Sequence, residues 1–502
     1  MKQVFVITSL AVATAFVFAG SAGAQGKQPQ KGDSQLQQSI ERIICQSQEL
    51  LGANVGVSVK DLGGNTIAEY NADKRLVPAS NMKLVTTGTA LQKLGKDYTF
   101  KTNLGYTGCI EGGTLDGDLY IIGGGDPTTG AKDSLMRDRD DAFRKWKTLL
   151  EQAGIQKING RIIGDPRAWE GYLELGDWTY EDVGTYYGTG NGALNYYKNA
   201  IDLNVAAASL EGEPVKAQQV FPETPWMHFT NSSITGREGS GNSLYLYTTD
   251  LAPYSELRGS FALDRAPKTE HFANKFGALS CAHYFRNYLI ACGIQVEGEA
   301  ADIDRSGHIR TQEFQLQEEA GNPNILATYK SCPLSEIATA TNYYSDNFYA
   351  EAIFRAIGEE TTQVAVYDSA KVAEKAILKQ LGLNTEEITI MDGSGLSRRN
   401  AVTVDFITAF LTKMSGNQAF LASLPKPGEG TIEPLLRKHP SKNRLRLKSG
   451  SMEGILCYSG YILDSNGTPV ATVSLLVNGA TVKTSRIRKA LESILDAILC
   501  QV

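Results

Sequence analysis

The chain has 502 residues, of which 42% are hydrophobic, and it carries a formal net charge of −6. This length is sufficient for two or three domains with cores of ordinary size. The slightly acidic charge balance includes no basic cluster, so it argues against nucleic acid as a partner.

The first 24 residues have the features of a secretory signal peptide. Lys2 precedes an apolar run at 4–19 that is too short for a membrane span, and Ala22-Gly23-Ala24 has the small residues that signal peptidase requires. No later stretch approaches the roughly 20 apolar residues of a transmembrane helix. We therefore expect cleavage after about Ala24 and a secreted protein without a transmembrane anchor.

Patterns near the two ends of the chain predict the parts of one antiparallel sheet. Alternating apolar residues flank the turns at 63–65 and 464–467, which is typical of β-hairpins. The predicted strands are 55–59, 66–70, 455–463 and 470–477, and the predicted helices beside them are 36–51 and 484–499. The two hairpins complete one sheet if the ends of the chain come together.

An insertion is visible in the composition of the middle of the chain. From about 102 to 264 the sequence consists of short strand patterns with many turn residues, whereas 272–293 and 333–358 return to helical periodicity. The sequence predicts an α+β fold in which an antiparallel sheet with helices is interrupted by a mostly β accessory region. We predict 33–100 and 265–502 for the discontinuous domain and 101–264 for the insertion.

The seven cysteines and five histidines show no spacing typical of metal ligands, so we predict neither a metal nor another cofactor. An odd number of cysteines leaves at least one thiol unpaired. Cys281 and Cys292 fall in one predicted helix, roughly 16 Å apart along its axis, which is too far for a disulfide. Buried free thiols are the simplest interpretation.

A nucleophile with its own base is encoded where Ser80-Asn81-Met82-Lys83 opens a helical pattern. Residues three apart are neighbours on a helix, so the Lys83 amine is expected over the Ser80 hydroxyl. A serine at a helix start is more often only an N-cap, which remains an alternative for this motif alone. A desolvated lysine beside other cations can lose its proton near neutral pH and act as a base.

Two further motifs follow along the chain. Ser345-Asp346-Asn347 stands between two predicted helices, whereas two other Ser-x-Asn tripeptides, at 240–242 and 441–443, lie in turn-rich segments. Lys448-Ser449-Gly450 precedes a predicted strand, where it could receive a substrate backbone and a carboxylate. Each motif alone also fits a purely structural role. The three in this order predict a serine acyl-transfer enzyme.

Over essentially its whole mature length, the chain resembles the class C low-molecular-mass penicillin-binding proteins, the peptidase S13 family of D-alanyl-D-alanine carboxypeptidases and endopeptidases. The most specific match is the string Asp-Gly-Ser-Gly-Leu-Ser-Arg at 392–398. The other matching segments are 78–83, 125–128, 345–347, 424–425 and 448–451. The resemblance implies a penicillin-recognising, β-lactamase-like domain interrupted by accessory domains.

The resemblance also assigns catalytic roles. Ser80 would attack the D-Ala-D-Ala carbonyl, and Lys83 would take its proton. Ser345 and Asn347 would relay a proton and bind the substrate amide. Lys448, together with the serine that follows it, would hold the substrate carboxylate.

Substrate-binding residues are implied in the same way. Trp178 followed by Asp182 matches the part of the inserted region that recognises a substrate side-chain amine, and Arg398 matches an arginine with the same task. Glu453 stands where a related enzyme has glutamine, which leaves the peptide preference open. Backbone N–H groups of Ser80 and Ser451 would form the oxyanion hole. The predicted substrate-binding residues are Ser449, Gly450, Ser451, Arg398, Asp182 and Glu453.

The resemblance therefore implies a periplasmic serine peptidase that acts on peptidoglycan stem peptides or cross-links and binds β-lactam antibiotics covalently. A homodimer is a possible assembly. One alternative is a serine β-lactamase or esterase with the same Ser-Lys pair, which would need fast deacylation. The other is a non-catalytic wall-binding protein in which the inserted region is the functional part.

Overall fold

The structure, a computed structural model, describes residues 35–135 and 138–502, so the predicted signal peptide lies outside the described residues. The helices are α1 (Gln35–Gln46), α2 (Met82–Lys93), α3 (Asp141–Gln152), α4 (Gly277–Ala291), α5 (Leu334–Tyr344), α6 (Asn347–Thr362), α7 (Tyr367–Gln380), α8 (Val404–Met414), α9 (Gln418–Ser423) and α10 (Thr484–Leu499). Within the described ranges, none of these helices is both long enough and apolar enough to cross a membrane.

The strands are short in the middle of the chain and longer at its ends. They are β1 (Asn54–Asp61), β2 (Thr66–Tyr70), β3 (Lys101–Tyr106), β4 (Cys109–Glu111), β5 (Thr114–Asp116), β6 (Leu119–Ile122), β7 (Lys157–Ile158), β8 (Ile162–Asp165), β9 (Ala200–Ala206), β10 (Lys216–Phe221), β11 (His228–Asn231), β12 (Ile234–Gly236), β13 (Tyr245–Thr248), β14 (Tyr254–Arg258), β15 (Ser260–Ala262), β16 (Lys268–Ala273), β17 (Gln295–Val296), β18 (Ala300–Ile303), β19 (His308–Arg310), β20 (Leu316–Glu319), β21 (Asn324–Lys330), β22 (Leu445–Met452), β23 (Ile455–Leu463) and β24 (Pro469–Asn478).

The two ends of the chain meet in one five-stranded antiparallel sheet with the order β2-β1-β24-β23-β22. One face of this sheet packs on α1 and α10, and the other packs on α8 and the helical layer behind it. Because both faces are covered, β23 is buried at every residue. The two predicted hairpins and the predicted α+β fold are confirmed.

A helical layer surrounds α2, the helix that follows Ser80. It consists of α5, α6, α7, α8 and α9, and its apolar side chains form one continuous core with α2. Every residue of α2 from Met82 to Leu91 is buried, including its lysine and three threonines. A helix enclosed on all sides holds its polar side chains in fixed positions, which is a suitable support for a catalytic base.

The middle of the chain forms a second body of sheets, the largest with the order β20-β19-β18-β8-β6-β3-β21. Helices α3 and α4 pack against its strands, with Trp146 and Phe285 in their shared core. Strand β21 pairs with β3, and Lys330 lies opposite Lys101. Strands from 265–330 therefore complete sheets that begin in the predicted insertion. We propose that the insertion extends to about 330 rather than to 264, and that it includes α3 and α4 beside its strands.

Candidate active site

Ser80 lies in a single 3-10 turn, Ala79–Asn81, that leads directly into α2. Two glycines from distant segments hold this turn. A Cβ on Gly450 would lie 2.7 Å from the Pro78 oxygen, and one on Gly395 would lie 1.9 Å from the Ala79 oxygen. Only glycine permits such close backbone approach. The third motif and the segment at 392–398 therefore both pack closely against the backbone of the turn that carries Ser80.

Lys83 is the base candidate, and its ammonium nitrogen is completely buried. Its Nζ lies 3.0 Å from Ser80 Oγ, 2.6 Å from Asn347 Oδ1 and 2.7 Å from the Ser394 carbonyl oxygen. A neutral amine has two N–H donors and one lone pair. Since the amide oxygen and the carbonyl oxygen can only accept, they take the two donors, and the lone pair faces Ser80 Oγ.

The protonation of Lys83 is coupled to that of Lys448. Burial lowers the pKa of Lys83 to about 8, although nearby carboxyl groups, chiefly Glu351, oppose this change. Burial, with the Lys83 charge as the second cause, holds the pKa of Lys448 well below its usual value. Two buried ammonium groups repel each other, so protonation of one lysine disfavours protonation of the other.

The second motif joins α5 to α6. Ser345 ends α5 in a left-handed conformation with φ 59°, and the Asp346 side chain caps α6 by accepting from the Tyr349 N–H at 3.0 Å. The Asn347 Nδ2 donates to the Tyr187 carbonyl at 3.0 Å, which turns its Oδ1 toward Lys83. The inserted region thus orients an amide of the catalytic site.

The third motif lies in β22 at the edge of the five-stranded sheet. Lys448 Nζ donates to Ser345 Oγ at 2.9 Å and to the Ser449 carbonyl at 2.6 Å. Ser449 Oγ lies 2.6 Å from Thr431 Oγ1. Among the described residues, 345–347 is the one Ser-x-Asn tripeptide that bonds Lys83 and Lys448. The structure therefore brings together all five predicted catalytic residues.

A cavity of about 170 Å³ opens beside Ser80. Its walls come from the nucleophile's turn, the second motif, β22, β23, the segment at 431–434 and the start of α10. The lining residues are Ser80, Ser345, Thr431, Pro434, Ser449, Ser451, Leu456, Tyr458, Thr484 and Arg488. Hydroxyl groups dominate this lining, so the cavity suits a small polar group such as the end of a peptide.

Two buried carboxyl groups hold the segment whose carbonyl bonds Lys83, and neither role is predicted from the sequence. Glu351 accepts from the N–H groups of Gly393 and Ser394 at 3.1 and 2.8 Å, which fixes the carbonyl that bonds Lys83. Asp392 accepts from four N–H donors, including the Trp178 indole at 2.8 Å. Burial, followed by the nearby Asp392 charge, raises the pKa of Glu351 to about 8.

A sequence feature could have drawn attention to Glu351. It stands four residues after Asn347 on α6, so both side chains lie on one helix face. Its immediate neighbours are alanines, and a charge within such an apolar run is rarely buried unless it is bonded. No comparable feature marks the Tyr187 and Ser394 carbonyls, because any residue carries a carbonyl group.

The predicted substrate-reading residues lie away from this buried centre. Arg398 and Glu453 are exposed, and Asp182 is partly buried. Asp182 Oδ2 accepts from Thr179 Oγ1 at 2.6 Å, and the segment that it belongs to reaches Asn347 through Tyr187. Within the described residues, no hydrogen bond or ion pair joins these three side chains to the catalytic residues.

A serine hydroxyl with a buried lysine as its base, beside a second lysine–serine pair, is the site of an enzyme that works through an acyl-serine. Comparison of the chain with known proteins identifies its relatives within this class. Residues 36–498 match the D-Ala-D-Ala carboxypeptidase 3 (S13) family, and the chain belongs to that family. The predicted enzyme, a serine-type D-Ala-D-Ala carboxypeptidase, is confirmed.

Individual relatives agree with this assignment. The chain is 29% identical to the D-alanyl-D-alanine carboxypeptidase of Actinomadura sp. (strain R39), over 86% of this chain and 79% of the relative. It is 26% identical to the D-alanyl-D-alanine carboxypeptidase DacB of Haemophilus influenzae, over 85% and 86% of the two chains. The crystal structure of penicillin binding protein 4 from H. influenzae has the same fold, with a TM-score of 0.77 and 23% identity over 92% of this chain and 99% of that one.

Proposed function

We propose that this chain is a periplasmic carboxypeptidase and endopeptidase that cleaves D-Ala-D-Ala bonds and cross-links of peptidoglycan stem peptides through an acyl-enzyme on Ser80. One observation carries the assignment of Ser80. Lys83 Nζ lies 3.0 Å from its Oγ, with its two other bonding directions committed to acceptors. This arrangement gives the serine a base that needs no histidine.

Acylation then involves three proton transfers. Lys83 takes the Ser80 proton as Oγ bonds the carbonyl carbon of the penultimate D-alanine. The carbon–nitrogen bond breaks, and the leaving amine receives the Ser345 hydroxyl proton, which Lys448 replaces. The total charge of the lysine pair is the same before and after acylation, because Lys83 has gained the Ser80 proton and Lys448 has lost one to Ser345. In deacylation water bonds the acyl carbon and its proton restores Lys448 through Ser345. The bond from the acyl carbon to Ser80 Oγ then breaks, and Lys83 returns the proton to Ser80.

The substrate backbone has a place along β22. This strand lies at the sheet edge, so its outward N–H and C=O groups can pair with an extended peptide. The backbone N–H of Ser451 on this strand and that of Ser80 would hold the oxyanion. A carboxylate beside Lys448 would favour its charged form, which leaves Lys83 as the neutral partner.

The proposal also covers the substrate side chain that is recognised and the compartment in which the enzyme acts. Asp182 would pair the free side-chain amine of a diamino acid in the stem peptide, Arg398 would bind a carboxylate on that side chain, and Glu453 would add a second acceptor for a cationic end. The signal peptide at 1–24 would deliver the enzyme to the periplasm. β-Lactams would acylate Ser80 as mimics of D-Ala-D-Ala. Homodimer formation stays a prediction.

Release of D-alanine from a D-Ala-D-Ala peptide tests the proposal. Ser80→Ala should abolish release, and Ser345→Ala should lower it strongly, because one removes the nucleophile and the other the proton relay. Ser240→Ala is a matched control, since Ser240 heads another Ser-x-Asn tripeptide and bonds the Arg237 carbonyl instead. Continued release by Ser80→Ala, or an equal loss in Ser240→Ala, would contradict the assignment.

A further inference from the structure

A guanidinium group lies in the catalytic cavity and has no role in the mechanism described so far. Arg488 projects from the second turn of α10, is partly buried, and lines the cavity together with Ser80, Ser345 and Ser449. Guanidinium groups keep their charge at every physiological pH. A fixed positive charge therefore faces the space that the substrate must enter.

Strand pairing connects Arg488 to the third motif. Tyr458 on β23 lies directly opposite Ser449 on β22, so the two side chains are neighbours on one face of the sheet. Burial raises the pKa of Tyr458 to about 12, and the Arg488 guanidinium beside its phenol opposes that rise. Ser449 in turn bonds Thr431. The Arg488 guanidinium, the Tyr458 phenol and the hydroxyls of Ser449 and Thr431 thus all line the same cavity.

Arg488 also differs from the arginine one half-turn before it. Arg486 is exposed and bonds Glu49 at 3.1 Å. No carboxylate lies within 4.0 Å of the Arg488 guanidinium in the part of the chain that the structure describes. Glu492, one turn further along α10, accepts from the Leu436 N–H at 2.8 Å instead. The guanidinium therefore has donors available for an external anion.

We propose that Arg488 binds the carboxylate of the leaving group, namely that of the terminal D-alanine or, in a cross-link, the carboxylate next to the leaving amine. This inference rests on the proposed function. An arginine can bind a carboxylate with two parallel hydrogen bonds, and the Ser449 and Thr431 hydroxyls lie on the same wall to complete the set. Lys448 stays bonded to Ser345 Oγ at 2.9 Å and can reprotonate it.

A pair of thioesters isolates this carboxylate. N-acyl-D-alanyl-thioglycolate and N-acyl-D-alanyl-thioglycolamide form the same acyl-enzyme and differ only in whether the leaving group ends in a carboxylate or a neutral amide. The readout is kcat/KM for the carboxylate thioester divided by kcat/KM for the amide thioester, measured by thiol release. Arg488→Gln should lower this ratio tenfold to about a hundredfold, because hydrogen bonds to charged groups are the strong ones. Arg488→Lys should recover part of it.

Arg486→Gln is the matched control on the same helix and should leave the ratio unchanged. The proposal is overturned if wild type uses both thioesters equally well, or if Arg488→Gln reduces both in proportion. In either case cleavage of the amide thioester by wild type shows that its acyl-enzyme chemistry is intact. If wild type cleaves neither thioester, the proposed function is overturned and the inference with it.

Discussion

The residues around Lys83 and the residues predicted to read the substrate side chain are built in opposite ways. Lys83 and Lys448 are completely buried, and each has at least two hydrogen-bond partners. Asp182, Arg398 and Glu453 lie on connecting segments that are partly or fully exposed. We therefore expect the chemistry to depend on this rigid interior and the substrate selectivity to depend on the more exposed segments.

This contrast sets the size of the expected effects. Removing the partners of a buried charged lysine costs on the order of several kcal/mol, as it does for buried charges in general. The protein cannot compensate for such a loss of contacts. An exposed charge acts through solvent, and its contribution is usually below about 1 kcal/mol. Substitutions at the first set should therefore change rates by orders of magnitude, and those at the second set by small factors.

Lys83→Arg should have the largest effect. Arginine stays charged and cannot provide a lone pair to Ser80, so acylation should fall on the order of 10³-fold or more. The measurement is the rate of covalent labelling by a penicillin. Lys93→Arg, at the exposed end of the same helix, is the control and should label at the wild-type rate. Labelling of Lys83→Arg at a near-normal rate would remove the lysine from its role as base.

The pH dependence of acylation should show the next largest effect. Because burial lowers the pKa of Lys83 to about 8, the neutral base is a minority below that pH and dominates above it. Acylation should therefore rise about tenfold per pH unit on the acidic side and level off above about 8. Stopped-flow acylation between pH 6 and pH 9 measures it. A rate that stays constant or falls over this range contradicts a neutral-lysine base.

Changes in the substrate-reading residues should have the smallest effects. Acetylating the side-chain amine of a D-Ala-D-Ala peptide should lower kcat/KM several-fold in wild type, because an acidic partner loses a positive charge. The same comparison in Asp182→Asn and Glu453→Gln should show less discrimination, whereas Glu181→Gln, an exposed neighbour, should behave as wild type. Peptides with meso-diaminopimelate or lysine extend the series. If acetylation leaves kcat/KM unchanged in wild type, no acidic residue here reads that amine.

The same division explains what the sequence predicts well. The hairpins at 54–70 and 455–478 follow from alternating residues and turn chemistry, and helix α10 has the predicted bounds. The spacing of Ser80 and Lys83 already implies their contact, since both lie on one helical turn. Local periodicity is sufficient for these features because each lies within one or two adjacent elements.

Features that join distant segments could not be read in this way. The resumed helical periodicity predicts that the insertion ends at 264, and the pairing of β21 with β3, across more than two hundred residues, is the reason for our proposal of a later end. Phe143, Trp146 and Leu150 have helical spacing in α3, but the short strand patterns on either side obscure this signal. Arg488 gave no signal, because only the fold brings the C-terminal helix to Ser80.

A peptide map of the protein after exposure to benzylpenicillin tests the central claim, that Ser80 is the nucleophile activated by Lys83. The account predicts one covalent adduct per chain, on the peptide that contains Ser80, and none in Ser80→Ala. An adduct on Ser345 or Ser394, both of which lie within the same hydrogen-bond network, would contradict it.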